Sequence, residues 1–72
     1  MEITLNGQRR DVPDDLTVSA LLGLLELKPE HVAVEINRDL VTRARHDGTP
    51  IAPGDQVEVV TLVGGGSPAA VD

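Results

Sequence analysis

The first twelve residues carry the pattern of a β-hairpin. Apolar and polar side chains alternate over residues 1–5, which is the period-two pattern of a half-buried strand. An Asn-Gly pair follows at residues 6–7, and both residue types tolerate the positive φ angles of a two-residue hairpin turn. We therefore predict that residues 8–12 return as a second strand, which ends before Pro13 because proline has no N–H to donate to a strand ladder.

The apolar spacing becomes that of a helix after residue 17. Thr17 is a candidate N-cap, because its hydroxyl can accept a hydrogen bond from an amide of the first helical turn. The segment is expected to close at Lys28 and Pro29, since proline disfavours helical geometry in the residue before it. The pattern predicts one short helix whose apolar stripe consists of Val18, Leu21, Leu22 and Leu25.

The second half of the chain contains further strand patterns. Residues 32–36 alternate, and residues 40–41 form a short partner strand after a turn at 37–39. Residues 42–53 are polar and interrupted by glycine and proline, so we predict that they are mostly loop. The last strand is predicted over residues 56–63, which are rich in β-branched side chains.

This last strand has two distinct faces. Val57 and Val59 would face the core, whereas Glu58, Val60 and Leu62 would lie on the outer face. Strands outnumber the single helix, which must then cover one face of one sheet. The predicted fold class is α+β, with a mixed sheet of four to five strands and one helix packed across it.

The strand and helix patterns stop after residue 63. Three glycines follow at 64–66, and the final segment at 67–72 has no periodic pattern. We therefore predict one domain over residues 1–63, followed at 64–72 by a flexible glycine tail with a disordered C-terminal extension.

Composition narrows the chemistry that the chain can perform. The 72 residues include no cysteine, so disulfides, thiolate metal sites and cysteine nucleophiles are excluded. The net charge of −6 argues against a nucleic-acid partner, which would call for a basic surface. No apolar stretch is long enough to span a bilayer, and the N-terminus lacks the pattern of a signal peptide. We therefore expect no membrane role and a cytoplasmic location.

The order and spacing of these segments resemble the ubiquitin-like β-grasp sulfur carriers of the ThiS/MoaD superfamily. Within it the closest resemblance is to the ThiS-like carriers of thiamin (thiazole) biosynthesis. Each matching block is weak alone, and the signal comes from finding all of them in order. The blocks lie at residues 1–7, 16–18, 21–22, 32–37, 40–43, 54–60 and 63–66.

The resemblance implies a carrier protein that is a co-substrate of other enzymes and not itself an enzyme. Its C-terminal glycine would be adenylated with ATP by a ubiquitin-activating-like partner and converted to a thiocarboxylate. A sulfur donor such as a cysteine desulfurase would supply the sulfur, and a thiazole synthase would accept it. The carrier itself would bind no cofactor and no metal, and it would have no catalytic residue.

The resemblance assigns the sulfur-carrying terminus to Gly66 and Gly65, with Gly64 as part of the tail. Glycine has no Cβ, so such a tail can thread into a narrow active site and leave the terminal carbonyl open to attack. Family members usually end at these glycines, whereas six residues follow them here. We therefore expect a processing peptidase to remove residues 67–72.

A tail that is ordered on binding needs a docking surface elsewhere on the folded domain. Val60 and Leu62 are the candidates, because they are predicted on the outer face of the last strand. Arg43 is a third candidate for partner binding, since it matches the family pattern.

Other polar residues give no competing site. His31 and His46 are far apart in sequence and are expected to be solvated loop residues rather than metal ligands. Two alternative functions stay open at this point. One is a sulfur carrier for another pathway, such as the synthesis of molybdopterin, cysteine or another metabolite, and the other is a β-grasp binding module that never uses its tail.

Overall fold

The structure is a computed structural model that describes residues 1–62 and a strand at 68–70. Within these residues six strands and one α-helix follow one another, with 3-10 turns at Pro29–His31 and Arg43–Arg45. The elements are β1 (Glu2–Leu5), β2 (Gln8–Asp11), α1 (Val18–Leu24), β3 (Val32–Ile36), β4 (Asp39–Val41), β5 (Gln56–Leu62) and β6 (Pro68–Ala70).

The strands form one mixed sheet with β5 at its centre. The strand order is β2-β1-β5-β3-β4, and β6 pairs with β5. The first and last strands of the domain run parallel, with Thr4 opposite Gln56 and Leu5 opposite Val57. The hairpins β1–β2 and β3–β4 are antiparallel, as is the β3–β5 pair. The predicted α+β β-grasp architecture is confirmed.

Helix α1 begins as predicted and ends earlier than predicted. Thr17 accepts a hydrogen bond on its hydroxyl from the Ala20 amide at 3.1 Å, which confirms it as the N-cap. The helix ends at Leu24 because Glu26 takes a positive φ of 58° and the Leu27 amide bonds back to the Leu22 carbonyl at 2.9 Å. This is a left-handed C-terminal cap. Pro29 therefore starts the next 3-10 turn and does not end the helix.

The core between the helix and the sheet is entirely aliphatic. It joins the apolar stripe of α1 to the inward faces of the strands and to three loop residues. Leu25 packs only at its margin, because it lies just beyond the end of the helix. The core residues are Ile3, Leu5, Val12, Leu16, Val18, Leu21, Leu22, Val32, Val34, Val41, Ile51, Val57 and Val59.

The prediction of disorder after the glycines is wrong for residues 68–70. These residues form β6, which runs antiparallel to the end of β5. The register pairs Thr61 with Ala69 and Leu62 with Pro68. A segment as short as Pro-Ala-Ala carries no helix or strand pattern of its own. Its strand conformation is therefore explained by its backbone pairing with β5.

The prediction that both histidines are solvated is also wrong for His46. His31 is exposed, but His46 is only 4% exposed. The imidazole Nε2 of His46 lies 3.2 Å from the Val41 carbonyl oxygen. Since a carbonyl only accepts hydrogen bonds, Nε2 carries the proton. His46 thus fastens the loop after β4 to the end of that strand.

Candidate functional site

The two faces of β5 differ as the sequence predicts. Val57 and Val59 are 1% and 0% exposed and lie in the core. Val60 is half-buried and Leu62 is 46% exposed. Because side chains alternate along a strand, Val60 and Leu62 lie on the face opposite the helix. The structure therefore places both predicted docking residues on one outer surface, directly before the start of the tail.

Neighbouring strands extend this surface. The register sets Ala33 opposite Val60, so these two residues share the outer face. Leu40 of β4 lies on the same face, since its neighbour Val41 is buried in the core, and Leu40 is 62% exposed. We call the apolar residues Ala33, Leu40, Val60 and Leu62 the outer patch.

Two glutamates lie beside the outer patch on the same face of the sheet. Glu35 and Glu58 are directly opposite one another on β3 and β5, and both are exposed. Like charges in opposite positions repel, so the pair contributes nothing favourable to the isolated sheet. A cationic side chain from a partner would relieve this repulsion. The surface therefore suits a partner that presents apolar side chains together with Lys or Arg.

Strand β5 extends beyond the end of β1, and there its backbone is hydrogen-bonded by a side chain. The Asn6 amide oxygen accepts from the Val59 N–H at 2.9 Å, and its Nδ2 donates to the Val59 carbonyl oxygen at 3.1 Å. The Asn6 backbone N–H also donates to the Val57 carbonyl at 2.9 Å. The Asn6 side chain thus supplies the hydrogen-bond donor and acceptor that the backbone of a neighbouring strand residue would otherwise supply to Val59. Val59 lies near the end of β5, from which the glycine tail follows in sequence.

Arg43 lies at the same end of the sheet as Leu62, but it is not beside it. It is the first residue of the 3-10 turn after β4, and it is exposed. Strand β3 separates β4 from β5, which sets Arg43 roughly 10 Å across the sheet from the last strand. The structure therefore brings Val60 and Leu62 together and leaves Arg43 at the rim.

An open groove lies at the end of β5. It has a volume of about 590 Å³. Its walls come from the segment between α1 and β3, from the first residue of β3 and from the last two residues of β5. The lining residues are Glu26, Leu27, Lys28, His31, Val32, Thr61 and Leu62.

Gly64, Gly65 and Gly66 lie outside the described residues, so their assignment stays a prediction. In residues 1–62 and 68–70, no group of three or more His, Cys, Asp or Glu side chains is arranged to hold a metal ion. Within that same part of the chain, no helix is long and apolar enough to cross a membrane.

Two features of the site were missed from the sequence. The contribution of Ala33 and Leu40 to the outer patch depends on strand register, which no local pattern reveals. The sequence pattern identifies Asn6 only as a turn residue, whereas in the structure its side-chain amide bonds to Val59, 53 positions away. The alternation over residues 32–36 does place Ala33 and Glu35 on one face, and this signal could have been used.

Comparisons with known proteins agree with this fold. A family model described as the ThiS family matches residues 3–66, so the match ends at Gly66. The crystal structure of the thiamine biosynthesis protein ThiS from Geobacter metallireducens superposes with a TM-score of 0.80 at 36% sequence identity. That match covers 92% of this chain and 100% of the Geobacter chain.

Curated relatives include much longer proteins. A thiazole synthase of Paramagnetospirillum magneticum is 37% identical over 70 residues, which is 97% of this chain and 22% of that protein. The chain thus spans about a fifth of the length of that relative. A protein of Porphyra purpurea, described as uncharacterized protein ycf40, is 35% identical over 66 residues, which covers 92% of this chain and 93% of that protein.

Proposed function

The chain belongs to the ThiS family, and on that premise we propose that it is the sulfur carrier of thiazole formation in thiamin biosynthesis. The resemblance found in the sequence is confirmed at the level of the family. The observation that carries the proposal is the extent of the family match, which covers the folded domain and ends at Gly66. The inclusion of residues 64–66 in this match supports a role for the glycines in the carrier.

The reaction uses the carboxylate of Gly66. In this chain Gly66 is joined to Ser67 by a peptide bond, so the carboxylate forms only when that bond is hydrolysed. We assign this cleavage to a processing peptidase. The new carboxylate then attacks the α-phosphate of ATP on an adenylating enzyme, which releases pyrophosphate and forms an acyl-adenylate.

Sulfur enters by displacement of AMP. A persulfide on a donor such as a cysteine desulfurase attacks the activated carbonyl carbon and expels AMP, which leaves an acyl disulfide. A thiol of a partner protein then cleaves the S–S bond of this acyl disulfide, and the products are a thiocarboxylate at Gly66 and a disulfide between the two thiols. The three glycines suit this step because no Cβ obstructs the approach to the carbonyl. The carrier contributes the acyl group, and the partner enzymes contribute the catalytic groups.

Thiazole synthase is the proposed acceptor of the sulfur. The thiazole synthases of Paramagnetospirillum magneticum and Magnetococcus marinus each contain a segment similar to this chain within one longer protein. A carrier-like segment in the same polypeptide as a thiazole synthase supports a functional link between the two. It favours thiazole formation over the molybdopterin and cysteine routes.

The folded domain provides the binding energy that ordering a glycine tail requires, roughly 1–2 kcal/mol per residue. The outer patch supplies apolar area, and Glu35 with Glu58 supplies negative charge beside it. We therefore propose that the adenylating enzyme and the thiazole synthase each present apolar and basic side chains to this surface. Arg43 would contact only the rim of such an interface.

The experiment that tests the proposal is thiocarboxylate formation. Residues 1–66 are incubated with the adenylating enzyme of the same organism, ATP and sulfide, and the intact mass is measured. We expect an increase equal to the mass difference between sulfur and oxygen. Residues 1–64, which keep the folded domain but lack Gly65 and Gly66, are the matched control and should gain nothing.

A second measurement tests processing and the acceptor. The protein isolated from its own cells should end at Gly66, and its thiocarboxylate form should support thiazole formation by thiazole synthase. Protein that keeps residues 67–72 during growth without added thiamin, or a thiocarboxylate that only a molybdopterin synthase consumes, would contradict the proposal.

A further inference from the structure

Strand β5 outlasts its pairing with β1. That pairing ends with Leu5 opposite Val57, whereas β5 continues to Leu62. On its other side, β3 pairs with β5 as far as Thr61. Strand β6 pairs with β5 from Val60 onward, but it belongs to the segment that the proposed cleavage removes. In the cleaved carrier, the side of β5 that faces β1 must therefore be held beyond Val57 by groups other than strand backbone.

Asn6 provides such groups at Val59. Its amide oxygen accepts from the Val59 N–H and its Nδ2 donates to the Val59 carbonyl oxygen, so both backbone groups of Val59 are bound by one side chain. The backbone of Asn6 is itself fixed, because its N–H donates to the Val57 carbonyl oxygen at 2.9 Å. These side-chain bonds are partly buried, which makes them stronger than bonds exposed to water. Asn6 therefore fixes Val59 from the side opposite β3.

We propose that Asn6 is a positioning residue for adenylation: by holding Val59, it fixes the end of β5 from which the tail enters the adenylating enzyme. This inference rests on the proposed function, because it concerns the alignment of the Gly66 carboxylate with the α-phosphate of ATP. Every residue that is not already fixed in the free carrier must be ordered at that step, and the ordering entropy lowers the rate. With Val59 held in place, the residues that need ordering begin after it.

The sheet separates this role from docking. Val60 of the outer patch lies opposite Ala33 of β3, and this pairing does not involve Asn6. Loss of the Asn6 side chain therefore leaves the outer patch on the sheet, and the carrier still docks. What is lost is the alignment of the tail after docking. An interaction of this kind contributes to kcat and has little effect on the KM for the carrier.

Asn37 offers a matched control at the other end of the same strand. Asn6 and Asn37 both have a φ of 51°, and each directly follows a strand that pairs with β5. The Asn37 side chain accepts from the Gln56 N–H at 3.0 Å, at the start of β5 and away from the tail. Glycine accepts a positive φ without strain, so Asn6→Gly and Asn37→Gly each remove a side chain that binds the backbone of β5. A merely structural role would affect adenylation in both variants.

The first readout is amide hydrogen exchange by NMR, and it needs no enzyme. The Geobacter ThiS structure is matched over its whole length by 92% of this chain, so residues 1–66 hold the complete fold and are used throughout. We expect the Val59 amide to exchange roughly tenfold faster in Asn6→Gly, because its acceptor is lost. Asn37→Gly should speed exchange at Gln56 and leave Val59 unchanged. No change at Val59 in Asn6→Gly, or an equal acceleration throughout the core, would overturn the local hold.

The second readout is ATP–pyrophosphate exchange by the adenylating enzyme, measured over a range of carrier concentrations at a temperature where every variant is folded. Asn6→Gly should lower kcat about tenfold and leave KM within about twofold, whereas Asn37→Gly should leave both constants within about twofold. Equal losses of kcat in the two variants, or a rise in KM at unchanged kcat, would contradict a positioning role.

Asn6→Asp is the conservative variant. It keeps an acceptor for the Val59 N–H and loses the donor to the Val59 carbonyl oxygen, so its kcat should lie between those of Asn6→Gly and the unchanged protein. It also decides the question if Asn6→Gly does not fold, since an unchanged kcat in Asn6→Asp would then refute the proposal. If the unchanged residues 1–66 are not adenylated, the proposed function fails and the positioning role fails with it. Normal turnover by both the unchanged protein and Asn6→Gly would refute the positioning role alone.

Discussion

The side chains of two asparagines form hydrogen bonds to the backbone of the central strand β5. Asn6 and Asn37 both have a φ of 51°, and each follows a strand that pairs with β5. The Asn6 side chain bonds to the backbone of Val59, whereas the Asn37 side chain accepts from the Gln56 N–H at 3.0 Å. Asparagine suits both places because it tolerates the left-handed region and carries both a donor and an acceptor.

We predict that Asn6→Ala destabilises the fold more than Asn37→Ala does. Both changes place alanine at a positive φ and remove side-chain hydrogen bonds, but those from Asn6 to Val59 are partly buried and those of Asn37 are exposed. Asn6→Ala should cost about 2–3 kcal/mol in the free energy of unfolding, and Asn37→Ala about 1 kcal/mol less. Urea unfolding measures both values. Equal costs would show that the backbone angle alone matters.

His46 shows where residue-level reasoning fails. Nothing in the polar segment at 42–53 distinguishes His46 from an exposed loop histidine. It is buried because the 3-10 turn Arg43–Arg45 carries the chain back toward the helix, where the Ser19 N–H donates to the His46 carbonyl at 3.1 Å. Its burial depends on a contact 27 positions away, which spacing along the chain does not reveal.

At the scale of elements, the two hairpins use the same turn with different residues. Asn6 and Gly7 connect β1 to β2, and Asn37 and Arg38 connect β3 to β4. All four residues have positive φ angles, as a two-residue type I′ turn requires. Arg38 has a φ of 73° and is therefore the residue whose type fits this turn least well.

We predict that Arg38→Gly stabilises the protein. Glycine removes the conflict between Cβ and the carbonyl at positive φ, and the gain should be up to about 1 kcal/mol after the greater chain entropy of unfolded glycine is subtracted. Thermal and urea unfolding measure the change. Arg38→Ala removes the same charge but keeps Cβ, so it is the control and should bring no gain. A similar gain in both variants would assign the effect to charge.

Elements with a clear local pattern were predictable, and their partners were not. The hairpin at the N-terminus, the N-cap at Thr17 and the two faces of β5 follow from alternation and turn chemistry within a few residues. The parallel β1–β5 pair joins residues more than fifty positions apart, so no local pattern specifies it. β6 is the extreme case, because its conformation depends on the edge of β5 rather than on its own residues.

At the scale of the whole molecule, the protein is acidic, and yet the outer patch near the end of β5 is apolar. The net charge is −6, yet the outer patch has exposed leucines on both β4 and β5. The candidate residues Val60 and Leu62 were predictable from the sequence, because strand alternation separates them from the core. Ala33 and Leu40, which extend these two residues into a surface, could be identified only once the order of the strands in the sheet was known.

We predict that Leu62→Ala weakens binding of residues 1–66 to the adenylating enzyme. An apolar contact at the centre of an interface contributes about 1–2 kcal/mol, which corresponds to a Kd roughly 5- to 30-fold higher. Leu24→Ala is the matched control, because Leu24 is 54% exposed, close to the 46% of Leu62, but lies on the helix. Titration calorimetry measures both. Equal losses for the two variants would exclude the outer patch as the docking surface.

The tail continues from the central strand of the sheet, and this has a mechanical consequence. β5 is flanked by β1 on one side and β3 on the other. Hydrogen bonds between strands lie across the strand direction, so a pull along the tail loads the bonds on both sides of β5 in shear at the same time. A tail attached to an edge strand would let those bonds open one after another. A force applied to the chain beyond Leu62 would therefore meet a domain that is held on both sides of the loaded strand and that resists unfolding.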